Sequence, residues 1–319
     1  MKNQSALNWI VPLIAALALF AAGIGLFSPN EGNSFSFMSV RGETVQIWGQ
    51  GWYRYDTPIG ALGFKAGDLI TLFLAIPLLL ISFVLYRRGS LRGGLLLAGS
   101  LAYFLYNYIS LGFGAAYNNL FLVYIIIFSA SLFGMILALA SFDLPALPAY
   151  FAESLPRRGM GIFLVVSGII LSLVWLMLSI VPALLQSKAP PEAYYYTTFM
   201  TGILDIGIIA PALILAGVWI LRLAPLGYLL ASTMLVFTSI LGPSLTTAGI
   251  MQVLAEVITI GQAMVFTVPF VILALIAIGL TVRLFSNFSE VPYGRIALKY
   301  KTEARNERYS VDEHRSSSS

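Results

Sequence analysis

Long apolar stretches alternate with short polar segments along the whole chain. A membrane-spanning helix needs about 20 mostly apolar residues, and eight stretches meet that requirement. They lie at 9–27, 67–86, 94–112, 120–141, 160–184, 199–221, 227–247 and 263–282. Because lipid offers no partners for open backbone groups, such stretches must form helices. The pattern therefore predicts an all-α polytopic membrane protein with eight transmembrane helices.

The composition agrees with this fold class. Hydrophobic residues make up 59% of the 319 residues, charged residues make up 10%, and the mean hydropathy is +0.88. Soluble globular proteins carry about 25% charged residues. The composition excludes a soluble enzyme and a nucleic-acid-binding domain. The lipid bilayer is the expected partner, and no nucleic acid is expected.

Positive charge is distributed unevenly between the two sets of loops. Of the 18 Lys and Arg residues, all but Arg41, Arg54, Lys65 and Lys188 fall on the side that holds both termini. Cytoplasmic loops are enriched in Lys and Arg, so we expect both termini in the cytoplasm and the chain in a prokaryotic plasma membrane. The first apolar stretch is longer than a signal-peptide core of about 7–15 residues. It is therefore expected to stay as an anchor.

The extracytoplasmic loop 28–66 contains a strand-like pattern. Polar and apolar residues alternate over Ser34–Val40 and again over Thr44–Trp48, with a Gly-containing turn signal between them. This pattern predicts a small β-hairpin between the first two helices.

Two further segments fall outside the apolar stretches. Aliphatic residues in 250–262 recur at helical spacing, which fits an amphipathic helix on the extracytoplasmic surface or an extension of the eighth helix. Residues 286–319 are polar and mixed in charge, which predicts a disordered cytoplasmic tail. The membrane domain would then comprise residues 1–285.

Two helical hairpins resemble each other in sequence. Four helices return the chain to its starting side, so helices 1–4 and 5–8 would be parallel repeats about an axis along the membrane normal. Chance resemblance is the alternative, because Leu and Ala are common in such helices. The matched residues are Asp68 with Asp205, Arg87 with Arg222, Gly94 with Gly227 and Phe104 with Phe237.

Two acids lie near the predicted starts of helices and are candidate ligand-binding residues. Asp205 falls about six residues into the sixth stretch, where a charged group needs a partner or water. It would be a proton or cation carrier, or else the N-cap of a shorter helix. Asp68 opens the second stretch and resembles an N-cap more closely. Both acids could also flank a shared vestibule.

Three more polar residues complete the candidate binding set. Asn107 lies near the end of the third stretch, where it would bind a ligand or form a hydrogen bond between helices. Arg54 and Asp56 flank Tyr55 in an aromatic-rich segment and would contact a polar ligand or form a local surface ion pair. The tyrosines at 194–196 fit an interfacial belt or, less often, a stacking platform.

Several chemistries are excluded by residue counts. The chain has no Cys, and its one His is His314 in the polar tail. Disulfides, thiolate metal sites and His-based catalysis are therefore absent. Walker A, HExxH and GxSxG motifs do not occur, and we expect no cofactor, no metal site and no catalytic residues.

Three function classes remain at this point. Transport of a small or lipophilic solute through an outward-facing vestibule, coupled to protons, is favoured by the apparent duplication and by Asp205. A non-catalytic extracytoplasmic ligand sensor, or an accessory subunit of a membrane complex with unknown partner subunits, is favoured by the loop and tail. An enzyme acting on a lipid is least favoured, because no pair of acids has a spacing that specifies acid–base chemistry.

Overall fold

Eight long helices form a bundle in the computed structural model. The structure describes residues 3–190, 193, 195–196 and 198–292, with only the backbone of Phe266. Within these residues, eight helices are long and apolar enough to cross a membrane, which indicates an integral membrane protein and agrees with the predicted number. They are α1 (Gln4–Phe27), α2 (Pro58–Arg87), α3 (Leu91–Gly114), α4 (Phe121–Leu139), α5 (Arg157–Leu185), α6 (Met200–Leu221), α7 (Pro225–Leu254) and α8 (Ile260–Ser286).

Helices α3 and α7 form the centre of the bundle. In each, 61% of the most apolar window is buried, against 12% in α8. Helix α7 packs on α2, α3, α6 and α8, whereas α5 packs mainly on α6, and α4 packs on α1 and α3. Small residues allow the central contact, since a side chain on Gly99 would collide with Val236. The apolar surfaces of α5 and α8 are left to face lipid.

Helix α2 begins earlier than the hydrophobic pattern predicts. It starts at Pro58, behind the N-cap Thr57 whose side chain accepts a hydrogen bond from the Gly60 N–H. The predicted start at 67 is wrong because Lys65 and several glycines lower the local hydropathy. These residues are nevertheless helical, since the segment packs against α7 and α1.

Among the described residues, three membrane helices contain a π-helical turn that ends two residues before a proline. The turns are Thr71–Ala75, Leu176–Ile180 and Asp205–Ile209, and the prolines that follow them are Pro77, Pro182 and Pro211. A proline ring clashes with the carbonyl four residues earlier and supplies no N–H. In each case that carbonyl belongs to the π turn, which widens the helix where the clash would occur.

The predicted hairpin is present. Strand β1 (Phe35–Met38) pairs antiparallel with β2 (Thr44–Ile47), with Phe35 opposite Ile47. Ile47, the last residue of β2, is buried. The end of the bundle that carries this sheet is called the hairpin face below, and the opposite end is called the terminal face.

The segment 250–262 is divided between two helices. Residues 250–254 complete α7, the chain turns at Ala255–Thr259, and α8 begins at Ile260 behind a capping box formed by Thr259 and Gln262. The surface-helix interpretation is therefore wrong. The extension of the eighth helix is present only from Ile260 onward.

A short segment after α8 crosses the terminal face. The Asn287 carbonyl accepts a hydrogen bond from the Ala152 N–H (2.9 Å), and the Ser289 N–H donates to Tyr150 O (2.8 Å). The Glu290 carboxylate accepts from the backbone N–H groups of Leu91 and Arg92 at the start of α3. Residues 287–290 of the predicted tail thus make defined contacts with the terminal face. Residues 1–2 and 293–319 lie outside the described residues, so the disorder of the tail stays a prediction.

Candidate functional site

Asp205 lies inside a membrane helix with two hydrogen-bond donors from other helices. Its Oδ1 accepts from the Tyr106 hydroxyl of α3 (2.8 Å), and its Oδ2 accepts from Trp175 Nε1 of α5 (2.8 Å). The side chain is only 7% exposed. Helix α6 begins five residues earlier at Met200, behind Phe199. The N-cap interpretation of Asp205 is therefore wrong.

Aromatic rings enclose this carboxylate. Tyr106 packs edge-on against Phe237, and Trp175 packs edge-on against Phe199. Both donors to Asp205 are neutral, and the acid forms no ion pair within the described residues. An unpaired charge costs about 2.5–3.5 kcal/mol at the centre of a membrane helix, and Asp205 lies between the helix start and that centre. The arrangement can therefore hold a proton, or present a carboxylate to a small cation.

Asp68 is buried in a second, separate cluster. Its Oδ2 accepts a hydrogen bond from the Tyr53 hydroxyl (2.7 Å), and the side chain is 1% exposed. It lies ten residues inside α2, so its interpretation as an N-cap is also wrong. Burial raises the pKa of Tyr53 well above its usual value, and the nearby Asp68 charge adds to that effect. Tyr53 therefore keeps its proton and remains a donor to Asp68.

Asn107 connects α3 to α2. Its Nδ2 donates to Thr71 Oγ1 (3.5 Å), and Gly67 leaves just enough room for its Oδ1. The Tyr103 hydroxyl lies 3.3 Å from the same Thr71 oxygen. This arrangement agrees with the interpretation of Asn107 as a hydrogen-bonding residue between helices.

Neighbouring residues of α3 serve the two acid clusters. Tyr106 reaches Asp205, whereas Asn107 reaches the part of α2 next to Asp68. The donors to the two acids do not overlap, since Asp68 accepts from the loop residue Tyr53. The structure thus places the acids in different clusters, and the expectation that they flank one vestibule gains no support.

Asp56 ties together three segments at the hairpin face. Its Oδ1 accepts from the Ala116 N–H (2.8 Å) and the Tyr196 hydroxyl (2.9 Å), while its carbonyl accepts from the Trp48 N–H (2.8 Å). Burial raises the pKa of Asp56 to about 6, although these side-chain hydrogen bonds oppose the shift. In this geometry Asp56 joins separate loops through its hydrogen bonds, and its binding of a ligand stays a prediction.

Arg54 points elsewhere. Its guanidinium lies over the Tyr55 ring at 5.0 Å from the centroid, and it forms no ion pair within the described part of the chain. The predicted surface pair of Arg54 with Asp56 is therefore not formed. Arg54 instead lines a cavity.

The tyrosines in the loop between α5 and α6 pack on the hairpin face. Tyr195 contacts Phe37 edge-on, and Tyr196 donates to Asp56. Burial raises the pKa of Tyr196, and the Asp56 charge adds to the shift. Tyr194 lies outside the described residues. The two described tyrosines join loops together rather than forming a free belt.

An open cavity of about 710 Å³ lies at the hairpin face. The end of α1, the turn around Trp52 and the loop between α3 and α4 enclose it, and Arg54, Glu31 and Asn119 contribute polar groups. Of the five predicted site residues, only Arg54 lines this cavity.

Sequence reasoning missed three partners that define the clusters: Tyr53, Tyr106 and Trp175. Tyr and Trp in a membrane protein are ordinarily interpreted as interface anchors, so no local signal distinguished these three. Only the packing of α3 and α5 against α6 shows that two of them face an acid.

No set of three or more His, Cys, Asp or Glu side chains in the described ranges is arranged to hold a metal ion. Comparison with protein-family models, with curated proteins and with solved structures gives no match to this chain. Its function must therefore be inferred from its own residues.

Proposed function

We propose that this integral membrane protein transports a small or lipophilic solute and that the movement is coupled to protons carried by Asp205. The supporting observation is the Asp205 geometry: a buried carboxylate held between three membrane helices by two neutral donors. Intramembrane acids are costly and usually mark ion or proton pathways.

The position of Asp205 in its helix supports the same proposal. It opens the π turn Asp205–Ile209, which ends two residues before Pro211. π turns interrupt regular backbone hydrogen bonding and often occur at functional sites. A helix widened here can change the distance from Asp205 to Tyr106 and Trp175 with little disturbance elsewhere.

The proposed location is a prokaryotic plasma membrane, with the terminal face in the cytoplasm. The supporting observation is the excess of Lys and Arg on that side. The cavity at the hairpin face would then open to the outside, as the outward-facing vestibule of the proposed transporter.

Proton movement tests the proposal directly. In proteoliposomes that contain the full chain and trapped pyranine, we expect an imposed membrane potential to drive protons inward through Asp205 without added solute, so that the lumen acidifies. Asp205→Asn should lower the initial rate by about tenfold or more, because the amide cannot carry the proton. Asp143→Asn is the matched control, since Asp143 is an exposed acid in the loop between α4 and α5. Equal rates for wild type and Asp205→Asn would overturn the assignment.

We further propose that helices α1–α4 and α5–α8 are parallel repeats. The π turns Thr71–Ala75 and Asp205–Ile209 are displaced by 134 residues (71 to 205), and Pro77 and Pro211 keep that displacement. The turns that follow α2 and α6 also match, because Gly89 and Leu223 both have a positive φ in the left-handed region. The same displacement relates two residues in contact at the bundle centre, Gly99 and Thr233, as a two-fold axis requires.

This register differs from the match made on sequence by one residue at the glycines and by three residues at the acids. Gly93, rather than Gly94, is the equivalent of Gly227, since each is the third residue of its helix and packs on the end of the preceding one. Asp205 then corresponds to Thr71 and not to Asp68. The two acids are thus not repeated copies of one site.

The second candidate is an extracytoplasmic ligand sensor or an accessory subunit of a membrane complex. It is favoured by the hairpin face, where Asp56 fastens separate loops beside an open cavity. Two results together would favour this candidate over transport. Cells that carry Asp205→Asn would grow normally, and cells with substitutions of cavity residues would grow poorly.

A further inference from the structure

The cavity at the hairpin face combines a cation with an apolar wall. Arg54 contributes a guanidinium, and Ile24 and Phe27 at the end of α1 contribute apolar surface. Trp52 and Tyr117 also line it, and aromatic side chains of this kind suit the level of lipid head groups.

Arg54 is available to an anion. Its contact within the described residues is with the Tyr55 ring, and the neighbouring acid Asp56 is occupied by Ala116 and Tyr196. Glu31 lines the same cavity, so the wall carries one cation and one anion. The Glu31 carboxylate would repel a second negative charge, whereas the Arg54 guanidinium can contact a head group that carries one.

The apolar wall continues along α1 towards the lipid. No atom lies within 4 Å of a Cβ built on Gly23, which leaves open space beside the helix. Phe20, Gly23 and Phe27 share one helical face, and Phe27 is 70% exposed. A hydrocarbon chain can therefore run from the cavity down this face.

We propose that the cavity binds a membrane lipid with a singly charged anionic head group, with the head group at Arg54 and an acyl chain along the Gly23 face of α1. Arg54 and the Asn119 amide provide donors for phosphate oxygens. Trp52 and Tyr117 contact the lipid at the depth of its glycerol group. The site does not depend on proton transfer at Asp205.

Photocrosslinking tests this site in the full-length protein. The probes are phosphatidylglycerol and phosphatidylcholine with a diazirine in the acyl chain, each at low content in phosphatidylcholine bilayers. We expect phosphatidylglycerol adducts on residues 20–27, several-fold above those of phosphatidylcholine. Arg54→Gln should lower them about tenfold, because a charge-assisted interaction is lost.

Matched variants separate binding from folding. Arg41→Gln removes an exposed arginine of the hairpin turn, and we expect unchanged adducts. Gly23→Leu should block the acyl path, whereas Gly279→Leu, also in open space on α8, should not. Asp205→Asn should leave labelling unchanged, so failure of the transport proposal would not affect this result.

Three outcomes would overturn the proposal. Equal labelling by the two lipids would show no preference for an anionic head group. If Arg54→Gln left the labelling unchanged, Arg54 would not contribute to lipid binding. Complete competition by millimolar inorganic phosphate would identify a free anion, rather than a lipid, as the occupant.

Discussion

The side chain of Asp68 fits against helix α1 because residue 25 is glycine. A Cβ at that position would collide with Asp68 Oδ2 and lie 2.7 Å from the Tyr53 hydroxyl. The hydrogen bond between Tyr53 and Asp68 is thus enclosed by backbone on one side. A single missing methyl group permits an acid to be buried in a membrane helix.

Gly25→Ala should therefore destabilise the protein by about 1–3 kcal/mol, the usual cost of overpacking. The added methyl must displace Asp68 from Tyr53, leaving a buried acid without its donor. Thermal unfolding of the detergent-solubilised protein measures the effect. Gly23→Ala is the control, because it lies two residues away in open space and should leave the transition unchanged. Equal stability of the two variants would contradict this packing.

Helix α3 is capped by a residue distant in sequence. Glu290 Oε2 accepts from the Leu91 N–H (2.9 Å), and its Oε1 accepts from the Arg92 N–H (3.2 Å) and the Ser90 hydroxyl (2.5 Å). A carboxylate at a helix N-terminus satisfies open N–H groups and opposes the positive end of the helix dipole. The segment after α8 thereby holds the loop between α2 and α3.

Replacing this cap, as in Glu290→Ala, should lower stability by about 1 kcal/mol. This loss of stability should be smaller at high salt, because salt screens the electrostatic part of the interaction. Combining it with Ser90→Ala should cost less than the sum of the two changes, since the residues share one hydrogen bond. Thermal unfolding of the single and double variants measures this coupling. Glu153→Ala, an exposed acid on the same face, serves as the control; strictly additive losses would argue against the shared cap.

At the scale of the whole molecule, charge and hydrophobicity act together. Apolar surfaces on α5 and α8 face outward, while polar groups gather at the two ends of the bundle and in clusters shielded by α3 and α7. The proposed orientation follows from Lys and Arg on the terminal face. The proposed two-fold axis would pass through the contact between α3 and α7.

Labelling in intact cells tests the orientation. The chain contains no cysteine, so single cysteines can be placed by Arg41→Cys in the hairpin turn and Asp143→Cys in the loop between α4 and α5. Both positions are exposed. A membrane-impermeant maleimide should label the first in intact cells and the second only after permeabilisation. The reverse pattern would place the hairpin face in the cytoplasm.

The sequence by itself determined the eight helices and the hairpin. Lipid penalises open backbone groups along a whole span, and alternation of side chains specifies a strand, so these signals are local and strong. The start of α2 and the end of α7 were misplaced, because burial against neighbouring helices compensates for polar and small residues that hydropathy counts as breaks.

Only the tertiary structure decided which polar residues belong together. Asp68 and Asp205 were identified as candidates, yet their donors Tyr53, Tyr106 and Trp175 come from other elements of the chain. A hydrogen bond depends on distances of about 3 Å between side chains. The packing of whole helices sets those distances, and no single segment of sequence contains them.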